Sequence, residues 1–336
     1  MVQQQNGSEI KLGTTLYSLT NEFHQRRYGF EELVREVARR NLGPGLEIVG
    51  FQSIKGFPEV DDAFADRFKA LIDETGLEPS CLGINADDLI DRDRSMTTEE
   101  SVSYHERQIK SAAKLGFPVA RFQYAATPAV IERLAPLAEK LEVKLGLEIH
   151  APHTIDHPDV IAYREMYERV GSPYLGFIPD FGSSSRDVPK AYVDYFRWRG
   201  IDEELIAAAL EIWHEDMEPF ARRAKFVKWA ADHGKDEIAA VEVAIVHGLF
   251  SRQPVENWLE IMPQVVHVHG KFFAVDESGE DASIDYGSIL PLFVQGGYRG
   301  YISSEWEGHQ VSDDDGFEKI ARHQAMERRI LDAVQA

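Results

Sequence analysis

One cysteine, Cys81, is all that the 336-residue chain contains. No internal disulfide can form, and a reducing compartment suits such a protein. Long apolar runs are missing too, since no segment approaches the roughly 20 residues a membrane-spanning helix needs. The opening stretch MVQQQNGSEIKLG has neither the basic nor the apolar region of a secretory signal. The expected location is therefore cytoplasmic, without a membrane partner. Positive charge is scarce: 36 lysines and arginines face 57 acids, for a formal net charge of −21. Such a balance repels nucleic acid and anionic membranes and points to a small substrate that is not strongly anionic. No glycine-rich phosphate loop follows the first strand candidate, which counts against a doubly wound nucleotide-binding sheet. Internal repeats and low-complexity tracts are also lacking. What remains is the composition of a globular protein, 43% hydrophobic and 28% charged.

Short β-rich runs alternate with helical patterns, the signature of a parallel α/β fold. Strand candidates fall at 11–19, 45–51, 79–85, 119–125, 143–151, 174–181, 265–272 and 300–307. Helical patterns lie between them, for example at 28–41, 61–76 and 99–116. The last two end in glycine, as a helix C-terminus often does. Eight such units predict a (β/α)8 TIM barrel, a single domain over 1–336, with its site at the C-terminal ends of the strands. One interval breaks the rhythm. Residues 183–262 are far too many for a single connection of ordinary length, and they predict extra helices laid over the barrel mouth.

Side chains two apart on a strand share a face. Glu148 and His150 therefore point the same way, as do His267 and His269, and Glu305 and Glu307; Asp180 closes its own strand after a proline. Each of the last four strands thus ends in a carboxylate or an imidazole. A barrel converges those ends on one point, where unpaired charges in a dry interior would be costly. An oxygen-rich set with one imidazole suits Mn²⁺, with Mg²⁺, Co²⁺ or Zn²⁺ as other divalent choices. Around it, Tyr17, Gln123, His267, Lys271 and Glu307 are candidate substrate-binding residues, and Glu47 is a further acid near the site. In the His-rich segment 150–157 only His150 belongs to the strand face. His153 and His157 read as loop residues, and Asp156 as a cap for the helix that follows.

The pieces GLEIHAP, GFIPDFG, VVHVHGK and GYISSEWEG together resemble the xylose-isomerase-like barrel superfamily of sugar isomerases and epimerases. The resemblance implies that Glu148, Asp180, His269 and Glu305 are metal ligands. His269 aligns better than His267 with the histidine of that group's HxKD pattern. Phe272 stands in place of its aspartate, so both histidines remain open. The Glu148/His150 pair, the long segment before strand seven and the SSEWEGH ending resemble a narrower group, the α subunits of bacterial C-glycoside deglycosidases. That likeness implies cleavage of the aryl C–C bond of 3-oxo-C-glucosides, flavonoid C-glycosides being one such class. It further implies a small β-sandwich β subunit as partner in a hetero-oligomer. His150 would carry protons, with Glu148 and Glu305 as catalytic carboxylates. A metal-dependent sugar isomerase or epimerase is the alternative, and a non-catalytic sugar-binding barrel a more distant one. Endonuclease-IV-type enzymes share the barrel, but their extra histidines and basic DNA face are lacking. In the insertion, Tyr192, Tyr195, Phe196 and Trp198 lie close together. They suit either a self-packed cap or a surface for the partner or aglycone.

Overall fold

A computed structural model describes residues 10–86 and 93–335; most of the opening stretch in which no secretory signal was expected lies outside the described residues. The eight strands are β1 (Lys11–Thr15), β2 (Gly45–Val49), β3 (Glu78–Gly83), β4 (Val119–Phe122), β5 (Lys144–Ile149), β6 (Leu175–Pro179), β7 (Val268–Phe272) and β8 (Tyr301–Trp306). Every pairing is parallel, in the order β6-β5-β4-β3-β2-β1-β8-β7. Isolated parallel bridges Phe177–Val265 and Asp180–His269 close the seam between β6 and β7. The result is the expected (β/α)8 barrel. The first strand is shorter than predicted: the Thr15 side chain accepts the Tyr17 N–H and turns Leu16–Leu19 into a 3-10 helix.

Alternation along the strands explains their mixed composition. On β5, Leu145, Leu147 and Ile149 point outward into the apolar layer under the helices, while Gly146 and Glu148 point into the barrel. On β7, Val268 and Phe272 join that layer, with Phe272 stacked on His323 at 3.9 Å, and His269 and Lys271 point inward. Burying each such Leu or Phe contributes about 1.5–3 kcal/mol, so the outward faces hold the barrel together and free the inward ends for polar groups. The surrounding helices start and stop where their side chains dictate. Asp61 caps the helix Asp62–Thr75 through the Phe64 N–H, and Thr97 and Glu100 form a capping box for Thr98–Leu115. Gly76 and Gly116 end these helices in the left-handed conformation, at φ 69° and 81°.

The insertion is helical, with helices Lys190–Trp198, Glu203–Trp213, Pro219–Asp232, Glu237–Val243 and Val246–Leu249. It has its own apolar cluster, centred on Tyr192, Phe196, Trp213, Phe226 and Phe250, which reaches the barrel through Phe273. Tyr192 donates to Gln310 beyond β8 (2.8 Å), and Ser251 donates to the Pro152 carbonyl beyond β5 (2.9 Å). The insertion therefore rests on the loops at the mouth. Tyr192 and Phe196 are buried in it and serve its packing, whereas Trp198 is 77% exposed. Among the described residues no helix is long and apolar enough to cross a membrane.

Candidate active site

Four ligand-type atoms, one each from Glu148, Asp180, His269 and Glu305, lie within 4.8 Å of one another at the C-terminal end of the barrel. All four residues are buried. His269 Nδ1 is 2.7 Å from Glu148 Oε1 and 3.3 Å from Glu305 Oε2. Its Nε2 is 2.9 Å from Glu47 Oε1. Glu148 Oε2 accepts from Arg121 Nη1 (2.7 Å) and Gln123 Nε2 (3.0 Å). Asp180 Oδ1 accepts the Gly182 N–H at 2.7 Å. Its Oδ2 lies 2.6 Å from Lys271 Nζ, at angles outside hydrogen-bond geometry, and Glu305 Oε2 likewise accepts no hydrogen bond. Lys271 also reaches Glu307 at 3.2 Å and Glu305 at 3.6 Å.

This arrangement is short of positive charge. Five carboxylates (Glu47, Glu148, Asp180, Glu305 and Glu307) face two permanent cations, Arg121 and Lys271. The strain shows in the proton affinities. Burial would push Glu148 up, but Arg121 and His269 outweigh it and hold it well below the usual carboxylate range. Burial pushes Asp180 up despite Lys271, and pushes Glu307 to about 7 against the same lysine. Burial opposes a charged His269, yet Glu305, Glu47 and Glu148 raise its proton affinity well above the usual histidine value. Without a further cation, His269 must carry two protons to meet a carboxylate on each side. With a divalent ion at Nδ1 it needs only the Nε2 proton directed at Glu47, the arrangement metal-ligating histidines normally show. The unbonded buried oxygens of Asp180 and Glu305 fit the same ion. These four residues are a suitable oxygen-rich set for it.

The two histidines at and just before β7 separate clearly. His269 enters the cluster, whereas His267 lies beneath it, its Nε2 2.9 Å from Glu47 Oε2 and 3.0 Å from Ser303 Oγ. His267, a substrate-binding candidate from the sequence, is 1% exposed and is not among the residues that line the cavity above the cluster. Glu47, 1% exposed on β2, bridges both rings. Replacing it with glutamine puts an amide donor against a ring N–H. Glu47→Gln is expected to weaken divalent-metal affinity by about 10–100-fold, measured by titration of metal-stripped protein.

Two other groupings of ligand-type residues are less suitable. Glu47, Cys81 and His267 converge below the cluster, but burial, with Glu47, holds the Cys81 thiol protonated, and only a thiolate binds metal well. His153, His157 and Asp159 gather on the loop after β5. There His157 Nδ1 accepts the Asp159 N–H as the cap of the helix Pro158–Val170. His157, not Asp156, is thus the helix cap, because the helix begins directly after it; Asp156 instead accepts from Asn257 at 3.4 Å. His153 stacks on Tyr124 at 3.8 Å.

Above the cluster opens a cavity of about 260 Å³, lined by Tyr17, Gln123, Glu148, His150, Lys271, Glu305 and Glu307 among others. Its volume is near the roughly 300 Å³ lower end of small-molecule sites. His150 Nδ1 lies 2.6 Å from the Ala151 carbonyl. A carbonyl only accepts, so Nδ1 donates its N–H there and Nε2 is the ring nitrogen left for other partners. Tyr17 accepts from Gln310 at 3.2 Å, and burial together with Glu307 and Glu305 pushes its hydroxyl up to about 12. Arg121, Asn85 and Phe51 are among the lining residues that the sequence pattern did not single out. Arg121 had a signal, since it sits two before Gln123 on β4 and so shares its inward face. Gly83 makes room for it, because a Cβ there would lie 2.7 Å from Arg121 Nη2.

Comparison with known proteins agrees with this geometry. The xylose isomerase-like TIM barrel family matches residues 45–328. A 3'-dehydrocarminate deglycosidase alpha subunit from Microbacterium sp. is 44% identical, over 97% of this chain and 97% of that protein. A C-glycoside deglycosidase alpha subunit from Microbacterium trichothecenolyticum is 41% identical, over 96% of this chain and 93% of that one. The chain belongs to the C-glycoside deglycosidase alpha-subunit family. It is an enzyme of the sugar-processing kind, built on the xylose isomerase-like barrel. A solved D-allulose 3-epimerase from Methylomonas sp. shares this family's fold at 13% identity, with a TM-score of 0.55 over 96% of this chain and 98% of that one.

Proposed function

We propose that this chain is the catalytic alpha subunit of a C-glycoside deglycosidase that cleaves the aryl–C1 bond of 3-oxo-C-glucosides. The observation that carries this reading is the buried four-residue cluster opening, beside His150, into a sugar-sized cavity. A chain so similar to named deglycosidase alpha subunits has in that cavity the groups the reaction requires. Glu148, Asp180, His269 and Glu305 would hold the divalent ion, manganese being favoured by the oxygen-rich set. When bound, the ion supplies Lewis acidity toward the oxygens of the oxidised sugar.

The residues of the chain manage the protons. The 3-ketone acidifies the C2 hydrogen, and breaking the C1–aryl bond requires the aryl carbon to receive a proton. Loss of the C2 proton and loss of the arene leave a C1–C2 double bond conjugated with the ketone, so the proton count balances. His150, at the cavity wall with Nδ1 held by the Ala151 carbonyl, takes up or returns these protons through Nε2. Glu305 and Glu148 share that traffic as neighbouring carboxylates, and Lys271, Gln123 and Tyr17 position sugar hydroxyls. Phe51, half exposed at the rim, offers an apolar face to the aryl ring.

The relatives' designation as alpha subunits supports a partner, which we propose is a small β-sandwich subunit. Turnover of a 3-oxo-C-glucoside, followed by release of the free arene, tests the reading. The isolated chain is expected to be nearly inactive, and addition of the small subunit to restore cleavage. Full cleavage by the isolated chain would refute the two-subunit reading. Interconversion of free ketoses with no action on oxidised C-glucosides would replace it with the isomerase or epimerase one.

A further inference from the structure

Among the described residues, two arginines of the insertion form no ion pair. Arg222, within the helix Pro219–Asp232, is only 3% exposed, and Arg252 lies beside it at the surface. Both guanidinium groups lie over the Trp213 ring, at 5.5 and 5.6 Å from its centroid. Each also donates to a carbonyl where the helix Glu203–Trp213 ends: Arg222 Nη1 to Trp213 (2.5 Å) and Arg252 Nη1 to His214 (2.6 Å). Such capping accounts for only part of the charge. A helix C-terminus presents about half an elementary negative charge, against two full positive ones. Among the described residues no carboxylate comes within 4.0 Å of either guanidinium. This is unusual in a chain of net charge −21, because a buried cation is costly to leave unpaired.

Two buried donors nearby remain unbonded. Arg222 Nε has no hydrogen-bond partner, and neither has Gln253 Nε2, although Gln253 is just 5% exposed. Arg222, Arg252 and Gln253 all line a cavity of about 350 Å³ between the insertion and the loop after β5. Asp156, Glu215 and Asp216 line it as well. Glu215 is paired with Lys225 at 2.6 Å, whereas Asp156 accepts from the neutral Asn257 and, like Asp216, adds negative charge to the rim that the two arginines must outweigh. The cavity shares no lining residue with the one over the cluster.

We propose that this second cavity binds a small oxyanion, a carboxylate or phosphate group, through Arg222, Arg252 and Gln253. Guanidinium forks match the paired oxygens of such groups, and the amide N–H of Gln253 supplies a neutral third donor. The bound anion lies against the loop that carries His150, since Gln253 Oε1 also accepts the Ile155 N–H at 2.7 Å.

Calorimetry and thermal unfolding of the full-length protein test the site, with inorganic phosphate and acetate each compared against chloride at equal ionic strength. Saturable binding of at least one of these anions, at one site per chain, is expected. A tenfold excess over the dissociation constant should raise Tm by about 2 °C. Arg252→Gln, a change at an exposed side chain whose folding circular dichroism checks, should weaken binding at least about tenfold. Arg223→Gln, an exposed neighbour on the same helix that does not line the cavity, should leave it unchanged. Absence of saturable binding by both anions, or equal binding by wild type and Arg252→Gln, would overturn the proposal.

Discussion

Purified wild-type protein is expected to contain about one divalent ion per chain, and the Glu148→Gln and Asp180→Asn variants almost none. Removing an outer partner of a metal ligand costs about 10–100-fold in affinity, so removing a ligand itself should cost more than a hundredfold. The amide variants keep side-chain volume, which matters because Glu148 also neutralises the buried Arg121 at 2.7 Å. An alanine there would leave that guanidinium unpaired and destabilise the barrel for reasons unrelated to metal. Elemental analysis after dialysis gives the stoichiometry, and circular dichroism establishes that the variants are folded. Amide variants as metal-loaded as wild type would refute the four-ligand assignment.

Turnover should fall by about a hundredfold or more in His150→Ala, while the metal content stays at the wild-type level. His150 is outside the four-residue cluster and touches none of its ligand atoms; its Nδ1 is held by its own loop at the Ala151 carbonyl. Loss of the ring therefore removes a proton carrier without opening the coordination set. Steady-state rates on a 3-oxo-C-glucoside, with the partner subunit present, measure the loss, and elemental analysis of the same preparation measures the ion. A variant that keeps near-normal turnover excludes His150 from the proton path. One that loses the ion along with its activity makes the ring part of the metal site.

Much of this arrangement is visible in the order of the residues, and the reason is geometric. Alternation is a local property of a strand, so Glu148 and His150 share a face wherever the strand ends up. The run of apolar residues at 145, 147 and 149 already marks the opposite face as buried under helices. The same local rule places Arg121 beside Gln123. It passed unnoticed because an arginine in a short strand resembles a solvent-facing residue until a barrel interior is known to surround it. The cap at His157 was missed for a related reason. Asp156 is the better cap by residue type, but Pro158 takes the first position of the helix and leaves His157 as its cap.

The sequence by itself determined the eight β/α units, the inward face of each strand and the type of group at each strand end. These depend on periodicity and side-chain chemistry, which act over a few residues. Only the tertiary structure decided how deep each inward residue sits, because depth is set by register between strands far apart in the chain. His269 bridges to Asp180 across the seam, and Lys271 pairs with Glu305 on the other side. That stagger lifts His269 to the level of the carboxylates and leaves His267 one layer lower, against Glu47. Two histidines equivalent on their own strand become a candidate metal ligand and a buried support because neighbouring strands fix the height of each.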